Sequence, residues 1–298
     1  MTNLPTTERS NEAIRPLDEL STPEILRLMN AEDGRVAQAV AHELPAVVRA
    51  VEEVTARLRG GGRLILVGAG TSGRLALMQA AEAPPTFGIP LTMVIGVMAG
   101  GPDALIRSKE GAEDDAVAGA AEMRRVDVKS DDSLVGISAS GRTPFVLGAL
   151  QEARVRSALT IGLCCDDPSA VSAAVDIAIH PLVGPEVLAG STRLKAGTAQ
   201  KLVLDMLTTA VMVRLGLVHS NLMVGVQGTN AKLRGRARRI AAEVSGRSDE
   251  QVEAALVEAD WSARVAIVML ARRVDAAQAR RLLDARPLAE ILRGDPDE

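Results

Sequence analysis

The stretch "RLILVGAGTSGRLALMQAAEAPPTFG", Arg63 to Gly88, decides the fold. The aliphatic run Leu64 to Val67 precedes Gly68, Gly70 and Gly73 in the spacing G-x-G-x-x-G, and a helical pattern follows. A buried strand feeding a helix through a glycine turn opens a parallel α/β sheet, and the turn aims main-chain amides at an anion. A dinucleotide would also need an acid at the end of the second strand, about 20 residues beyond the glycines, to accept from the ribose. The second run here ends in "VIGVMAGG", with no acid until Asp103, while Glu82 falls too early. The NAD reading fails its second requirement, and no cofactor is expected.

Two further turns share the chemistry of the first. "GISASGRTP" follows another apolar run, so that Ser72-Gly73-Arg74 is echoed by Ser140-Gly141-Arg142, and "GSTRLKAGT" precedes a long helical stretch. Glycines let the main chain approach an anion, helix amides point at it, and hydroxyls add donors at low steric cost. A single serine before a helix usually does no more than cap it. Repetition at strand ends points instead to a pocket for one phosphate and a polyhydroxylated ligand. The expected anchors are Thr71, Ser72, Ser138, Ser140 and Thr143, with Ser191 and Thr192 closing the pocket. Lys195 is a candidate for the substrate phosphate or carboxylate, or else a surface lysine at a helix start. Arg74 and Arg142 are candidates to brace the loops.

Organisation along the 298 residues agrees with this reading. Short apolar runs at Leu64–Val67, Leu91–Ile95, Leu134–Ile137, Leu159–Leu163 and Ile177–Ile179 alternate with helical sequence, which predicts a doubly wound parallel sheet covered on both faces. Residues 1–60 form an N-terminal segment, extended and polar to Pro16. It then becomes helical, with a cap at Ser21 or Thr22 and a helix from Gly34 to Leu58 bent near Pro45. Residues 61–232 form the sheet domain, ending with an apolar helix over Ala196–Leu215. Residues 233–298 form a small all-α C-terminal module, with N-caps at Ser248, Asp260 and Asp275 and a basic helix that ends at Gly246.

Composition narrows the classes of function. Phe87 and Phe145 are the only phenylalanines, Trp261 is the only tryptophan, and there is no tyrosine, so the core is aliphatic and base stacking on aromatics is not expected. A net charge of −4 gives no pull towards nucleic acid or an anionic membrane. No apolar run approaches the roughly 20 residues of a membrane helix, and the N-terminus lacks an apolar signal core. Cys164 and Cys165 are adjacent and read as buried strand-end thiols. His42, His180 and His219 are dispersed, so no metal ligand set is legible. A cytoplasmic, metal-independent protein is expected, with neither nucleic acid nor membrane as partner.

The loops resemble those of the sugar isomerase (SIS) domain, a group of phosphosugar-binding doubly wound folds. Longer stretches resemble one family within it, the N-acetylmuramic acid 6-phosphate etherases: "GGGRLILVGAGTSGRLALMQAAEAPPTFG", "EGAEDD", "GISASGRTPFVLGAL", "GPEVLAGSTRLKAGTAQKLVLDML" and "NLMVGVQGTNAKL". The resemblance runs from about Thr7 to the C-terminus. It implies a homodimer that recycles cell-wall sugar in the cytoplasm, splitting a lactyl ether to give N-acetylglucosamine 6-phosphate and D-lactate. The family's catalytic glutamates map onto Glu82 and Glu113. The pattern departs at Gly225, Ala231 and Ala83, where Asp, Glu and Cys are common; these positions bear on helix packing or substrate detail rather than on the reaction.

The chemistry so implied needs few groups. An alkyl ether resists direct hydrolysis, but in the open-chain aldehyde the proton on carbon 2 is acidified and the ether oxygen on carbon 3 lies beta to the carbonyl. Two carboxyl groups suffice if one is protonated and the other ionised. Glu82 stands beside "APPTFG", where two prolines and Phe87 could desolvate it, and is assigned as the acid for lactate. A helix-end charge is the plainer alternative. Glu113 is assigned as the base, although Glu110, Glu113, Asp114 and Asp115 are indistinguishable by spacing and only the resemblance chooses among them. The rival readings are an aldose–ketose phosphosugar isomerase and a phosphosugar-sensing regulator. The second rests on Lys232, Arg234, Arg236, Arg238 and Arg239, which the acids from Glu243 to Glu253 make a solvated helix or subunit contact.

Overall fold

Five short aliphatic runs become five parallel strands: β1 (Leu64–Gly68), β2 (Val94–Met98), β3 (Ser133–Ile137), β4 (Leu159–Leu163) and β5 (Ile177–Ile179). The computed structural model describes residues 4–12, 14–107 and 109–293. Of the segment expected to be extended up to Pro16, residues 1–3 and 13 lie outside the described residues, as do residues 294–298 of the C-terminal module. The chain forms two compact units, Met1–Ala80 with Thr92–Thr208, and Ala81–Leu91 with Thr209–Glu298.

In the first unit the sheet order is β2-β1-β3-β4-β5. Leu64 to Gly68 align with Val94 to Met98 on one side and with Ser133 to Ile137 on the other. The order therefore reverses between β1 and β3, which places a crevice at their carboxyl ends. Around the sheet lie α1 (Thr22–Asp33), α2 (Val36–His42), α3 (Leu44–Arg59), the start of α4 (Gly70–Phe87), α5 (Ala116–Arg125), α6 (Pro144–Val155), α7 (Ala170–Ala173) and the start of α8 (Lys195–Arg214). Helix α1 opens with Ser21 donating its main-chain N–H to Glu24 Oε2 at 2.8 Å. The expected bend near Pro45 is a break after His42, with Pro45 in the first turn of α3, where its missing N–H costs nothing.

β1, β3 and β4 are buried along their whole length. Ile65, Val67 and Leu134 pack with Phe145, Val146, Ala149 and Leu150 in one aliphatic core. Phe145 is fully buried, a burial that stabilises by about 2–3 kcal/mol. At the amino ends of the strands Asp132 accepts from the main-chain N–H groups of Arg63 (2.8 Å) and Lys129 (2.9 Å), and pairs with the Arg63 guanidinium at 2.5 Å. This ties β1 to β3 at the end remote from the crevice. One expected boundary moves. The second strand begins at Val94 rather than Leu91, because β1 offers partners only from Leu64 onward, and Leu91 stands 80% exposed in the preceding segment.

The second unit is helical: α9 (Ala231–Ser245), α10 (Asp249–Glu258), α11 (Ala263–Arg272), α12 (Ala276–Ala285) and α13 (Leu288–Arg293) enclose a core that includes Val224, Ile240, Leu256, Ile267 and Leu288. α9 ends at Gly246, whose φ of 62° is the left-handed conformation expected there. Ser248 and Asp275 cap α10 and α12 as expected. Asp260 does not cap α11. Asp260 and Trp261 have φ of 51° and 61°, so the chain makes a left-handed turn before the helix starts at Ala263, and Asp260 pairs with Arg280 at 3.0 Å. The guanidinium groups of Arg234 and Arg238 lie 4.7 and 5.0 Å from the Trp261 ring centre, and Arg238 also donates to Glu253 at 2.8 Å. Part of the basic run is thus engaged inside its own unit.

Candidate active site

The three glycines of the first turn answer two demands. Gly70 has φ of +54°, a conformation that a side chain would strain. A Cβ on Gly68 would lie 2.7 Å from Gly73 N, and one on Gly73 would lie 2.7 Å from Gly68 O. Strand and helix can therefore meet only through bare backbone. α4 begins immediately, so Thr71 and Ser72 occupy its first turn, half-buried and buried respectively. The echo in the second loop is one of sequence rather than geometry. Ser140-Gly141-Arg142 forms a turn ahead of α6, with Gly141 at φ +64°, whereas Ser72-Gly73-Arg74 is helical.

In that second loop Ser138 Oγ and Thr143 Oγ1 share a hydrogen bond of 2.8 Å, and Ser140 Oγ accepts from Arg142 N at 3.3 Å. Gly68 of β1 pairs in register with Ile137 of β3, so Thr71 and Ser72 leave one side of the crevice while Ser138, Ser140 and Thr143 leave the other. The third loop differs. Ser191 and Thr192 are half-buried ahead of α8, but that helix start already has its anion: Glu186 accepts from Lys195 N at 3.0 Å and from Ala196 N at 2.9 Å. Burial pushes the Glu186 carboxyl above its ordinary range, although the two amides pull it the other way.

Lys195 is not a surface residue. It is 2% exposed, and its ammonium donates to Glu32 Oε2 at 2.6 Å, while Arg35 pairs with the other oxygen of Glu32 at 2.9 Å. Cys164 and Cys165 are buried as expected, and burial pushes both thiols above their usual range.

A cavity of about 240 Å³ lies beside the first loop. Ala69, Gly70 and Arg74 form one wall, and Lys109, Glu110, Glu113 and Asp114 the other. Arg74 braces the wall that carries the acids, donating to the carbonyl oxygens of Ala104 (2.9 Å) and Leu105 (3.0 Å). The four acids are no longer equivalent. Asp115 caps α5 through Ala118 N at 2.8 Å, while Glu110, Glu113 and Asp114 line the cavity. Glu82 belongs to the second unit and is exposed on α4, which continues through Pro84 and Pro85 to Phe87. Phe87 is buried in its own unit and Glu82 remains solvated within the chain, so Phe87 does not supply the expected desolvation.

Sequence reading missed four residues around these loops: Glu32, Asp166, Glu186 and Gln200. Asp166 is buried and accepts from Thr6 N (3.2 Å) and Thr6 Oγ1 (2.8 Å), with Arg142 at 3.6 Å; Gly190 N donates to Thr7 O at 3.1 Å. The segment near Thr6 is thereby fastened to the carboxyl end of the sheet. Among the described residues no three His, Cys, Asp or Glu side chains are grouped to hold a metal ion, and no helix is long and apolar enough to cross a membrane.

Comparison with known proteins agrees with the fold. Residues 116–210 match the SIS domain, and residues 46–154 match the N-terminal SIS domain of glucokinase regulatory protein. The phosphoheptose isomerase structure from Neisseria gonorrhoeae superposes with a TM-score of 0.51 at 20% identity, over 64% of this chain and 99% of that one, which shows the shared fold. The chain is 50% identical over 276 residues to the N-acetylmuramic acid 6-phosphate etherase of Serratia proteamaculans, covering 93% of each. It is 52% identical over 279 residues to that of Rubrobacter xylanophilus, covering 94% of this chain and 93% of the other. The chain belongs to the N-acetylmuramic acid 6-phosphate etherase family.

Proposed function

We propose that this protein cleaves the D-lactyl ether of N-acetylmuramic acid 6-phosphate, giving N-acetylglucosamine 6-phosphate and D-lactate in the recycling of cell-wall sugar. One observation carries the reading: the cavity that Glu113 lines is also lined by Gly70 and Arg74, which flank Thr71 and Ser72 in the chain. A phosphate held at the first turn of α4 would extend its sugar past the acids. Thr71, Ser72, Ser138, Ser140 and Thr143 are the proposed anchors, with Ser191 and Thr192 at the rim. Since Glu32 holds the Lys195 ammonium, Lys195 would have to leave that partner to meet a ligand.

In the open-chain aldehyde Glu113 takes the proton from carbon 2, and the electron pair forms the carbon 2–carbon 3 double bond as the carbon 3–oxygen bond breaks. Glu82 delivers a proton to the departing lactate oxygen. Water then adds to carbon 3 of the unsaturated aldehyde, and carbon 2 regains a proton. Each transfer is general acid–base catalysis, and the route calls for no metal ion. Solvation of Glu82 within the chain leaves its desolvation to bound substrate or to a second subunit. A two-fold homodimer in the cytoplasm is the proposed working form, twofold association being the commonest assembly.

D-lactate release on incubation with N-acetylmuramic acid 6-phosphate tests the reaction; its absence, with aldose–ketose interconversion instead, would favour the isomerase. A fully active monomer at micromolar concentration would reject the dimer.

A further inference from the structure

Ser72 raises a problem of polarity. Its Oγ donates to Gln200 Oε1 at 2.8 Å, in a contact where Ser72 is 7% and Gln200 1% exposed. A hydroxyl has one proton and two lone pairs, so a serine whose proton is committed can face a ligand only as an acceptor. A phosphate dianion is also only an acceptor. The Ser72 hydroxyl, as bonded, is therefore turned the wrong way for the ligand proposed here.

The other end of the same amide shows how this is resolved. Gln200 Nε2 is buried and has no hydrogen-bond partner, a condition that costs free energy. Gln79, about two turns further along α4 than Ser72, is by contrast bonded at both ends: Nε2 donates to Asp205 at 2.6 Å and Oε1 accepts from Thr208 at 3.0 Å. The two ends of a carboxamide are nearly the same shape, so half a turn of the Gln200 amide brings Nε2 to Ser72 Oγ. The serine then accepts from Gln200 and its proton is free for a phosphate oxygen. The buried donor is paired in the same movement, and Oε1 takes the place that Nε2 leaves.

We infer that Gln200 is a positioning residue for the phosphosugar: its amide sets the polarity of the Ser72 hydroxyl, and with Nε2 turned to Ser72 Oγ it leaves the serine proton for the phosphate. This rests on the reading of the Gly70–Gly73 turn as the phosphate site.

The test is a coupling measurement by calorimetry with N-acetylglucosamine 6-phosphate. Gln200→Glu can only accept, holds the serine proton, and should weaken binding about tenfold or more. Gln200→Met leaves the serine proton free and should weaken it only about threefold. In a Ser72→Ala background each change at Gln200 should add less than about twofold, because its effect passes through Ser72. Wild-type affinity should rise as pH passes the second phosphate ionisation at about 6, and Gln200→Glu should blunt that rise. Gln200→Met keeps the cycle readable if the glutamate variant does not fold. Additive effects of Ser72 and Gln200, equal losses in Glu and Met variants, or an unaltered pH profile would each overturn the role of Gln200. Unchanged affinity in Ser72→Ala alone would instead remove the phosphate reading, and the inference with it.

Discussion

The Glu186 carboxylate accepts the main-chain N–H of Lys195 at 3.0 Å and that of Ala196 at 2.9 Å, filling the helix start where a third phosphate loop was expected. An internal anion at that position satisfies the amides and the helix dipole, leaving less for a ligand. On the proposed reading, the first turn of α4 and the loop between β3 and α6 would then carry most of the phosphate recognition. Ser191→Ala should accordingly weaken hexose 6-phosphate binding by less than Thr143→Ala, with calorimetry as the check.

Titration of Glu186 gives a second prediction. Burial raises its folded pKa above the ordinary 4.5, so the folded state binds more protons than the unfolded state above pH 4.5. Stability owed to this group is present below that pH and is lost as pH rises through the raised value. Glu186→Gln removes the titration, so the difference between variant and wild type should move in favour of Gln as pH increases from 4.5. Urea unfolding at several pH values checks the slope; the opposite slope would mean that the two amide bonds outweigh burial.

Asp132 behaves with the other sign. Burial would raise its carboxyl, but the Arg63 guanidinium and the amides of Lys129 and Arg63 outweigh it and hold the group below its ordinary 3.8. Its contribution is present above that value and lost as pH falls through the lower folded one. Asp132→Asn should cost about 3 kcal/mol at neutral pH, since it leaves Arg63 without its counter-charge between β1 and β3. That cost should shrink as pH falls from 3.8 through the lower folded value, where the carboxylate of the folded wild type itself becomes protonated.

What is legible in the sequence is what local constraint imposes. The turn from Gly68 to Gly73 is readable because strand, bend and helix each demand a residue type within a few positions. The helix caps at Ser248 and Asp275 are readable for the same reason. Lys195 is not, because its partner Glu32 is 163 residues away and no spacing encodes that pairing. The Ser72–Gln200 bond spans 128 residues, and glutamine within an apolar helix carries no chemical signature. Asp260 misleads because two successive left-handed residues postpone the start of α11.

Gly225 marks a departure from the family pattern that has a physical consequence. A Cβ at this position would collide with the carbonyl oxygen of Phe87, the last residue of the helix that carries Glu82. Gly225→Asp should destabilise the protein by about 1–3 kcal/mol, because the helix end must shift to admit it. A displaced Glu82 should also lower kcat, by about tenfold, without a matching rise in KM. Unchanged stability and kcat would show that this helix end yields without consequence.

The two glutamates are separable by isotope exchange. If Glu82 protonates only the departing lactate, removal of the carbon 2 proton does not require it. Glu82→Ala should then lose lactate release by about 10²–10⁴-fold, the usual worth of a general acid. It should still exchange the carbon 2 hydrogen with deuterium from heavy water, because Glu113 and the substrate aldehyde remain. Glu113→Ala should lose both exchange and release, while Glu110→Ala and Asp114→Ala, which share the cavity wall, should retain exchange. Product formed by the wild type in heavy water should carry deuterium at carbon 2. Water labelled with heavy oxygen should place its label at carbon 3, as addition to the unsaturated aldehyde requires. Label in the lactate would mean that the lactyl carbon–oxygen bond had broken instead, and elimination from the sugar would be the wrong route. Loss of exchange in Glu82→Ala would require the acid and base assignments to be exchanged or shared.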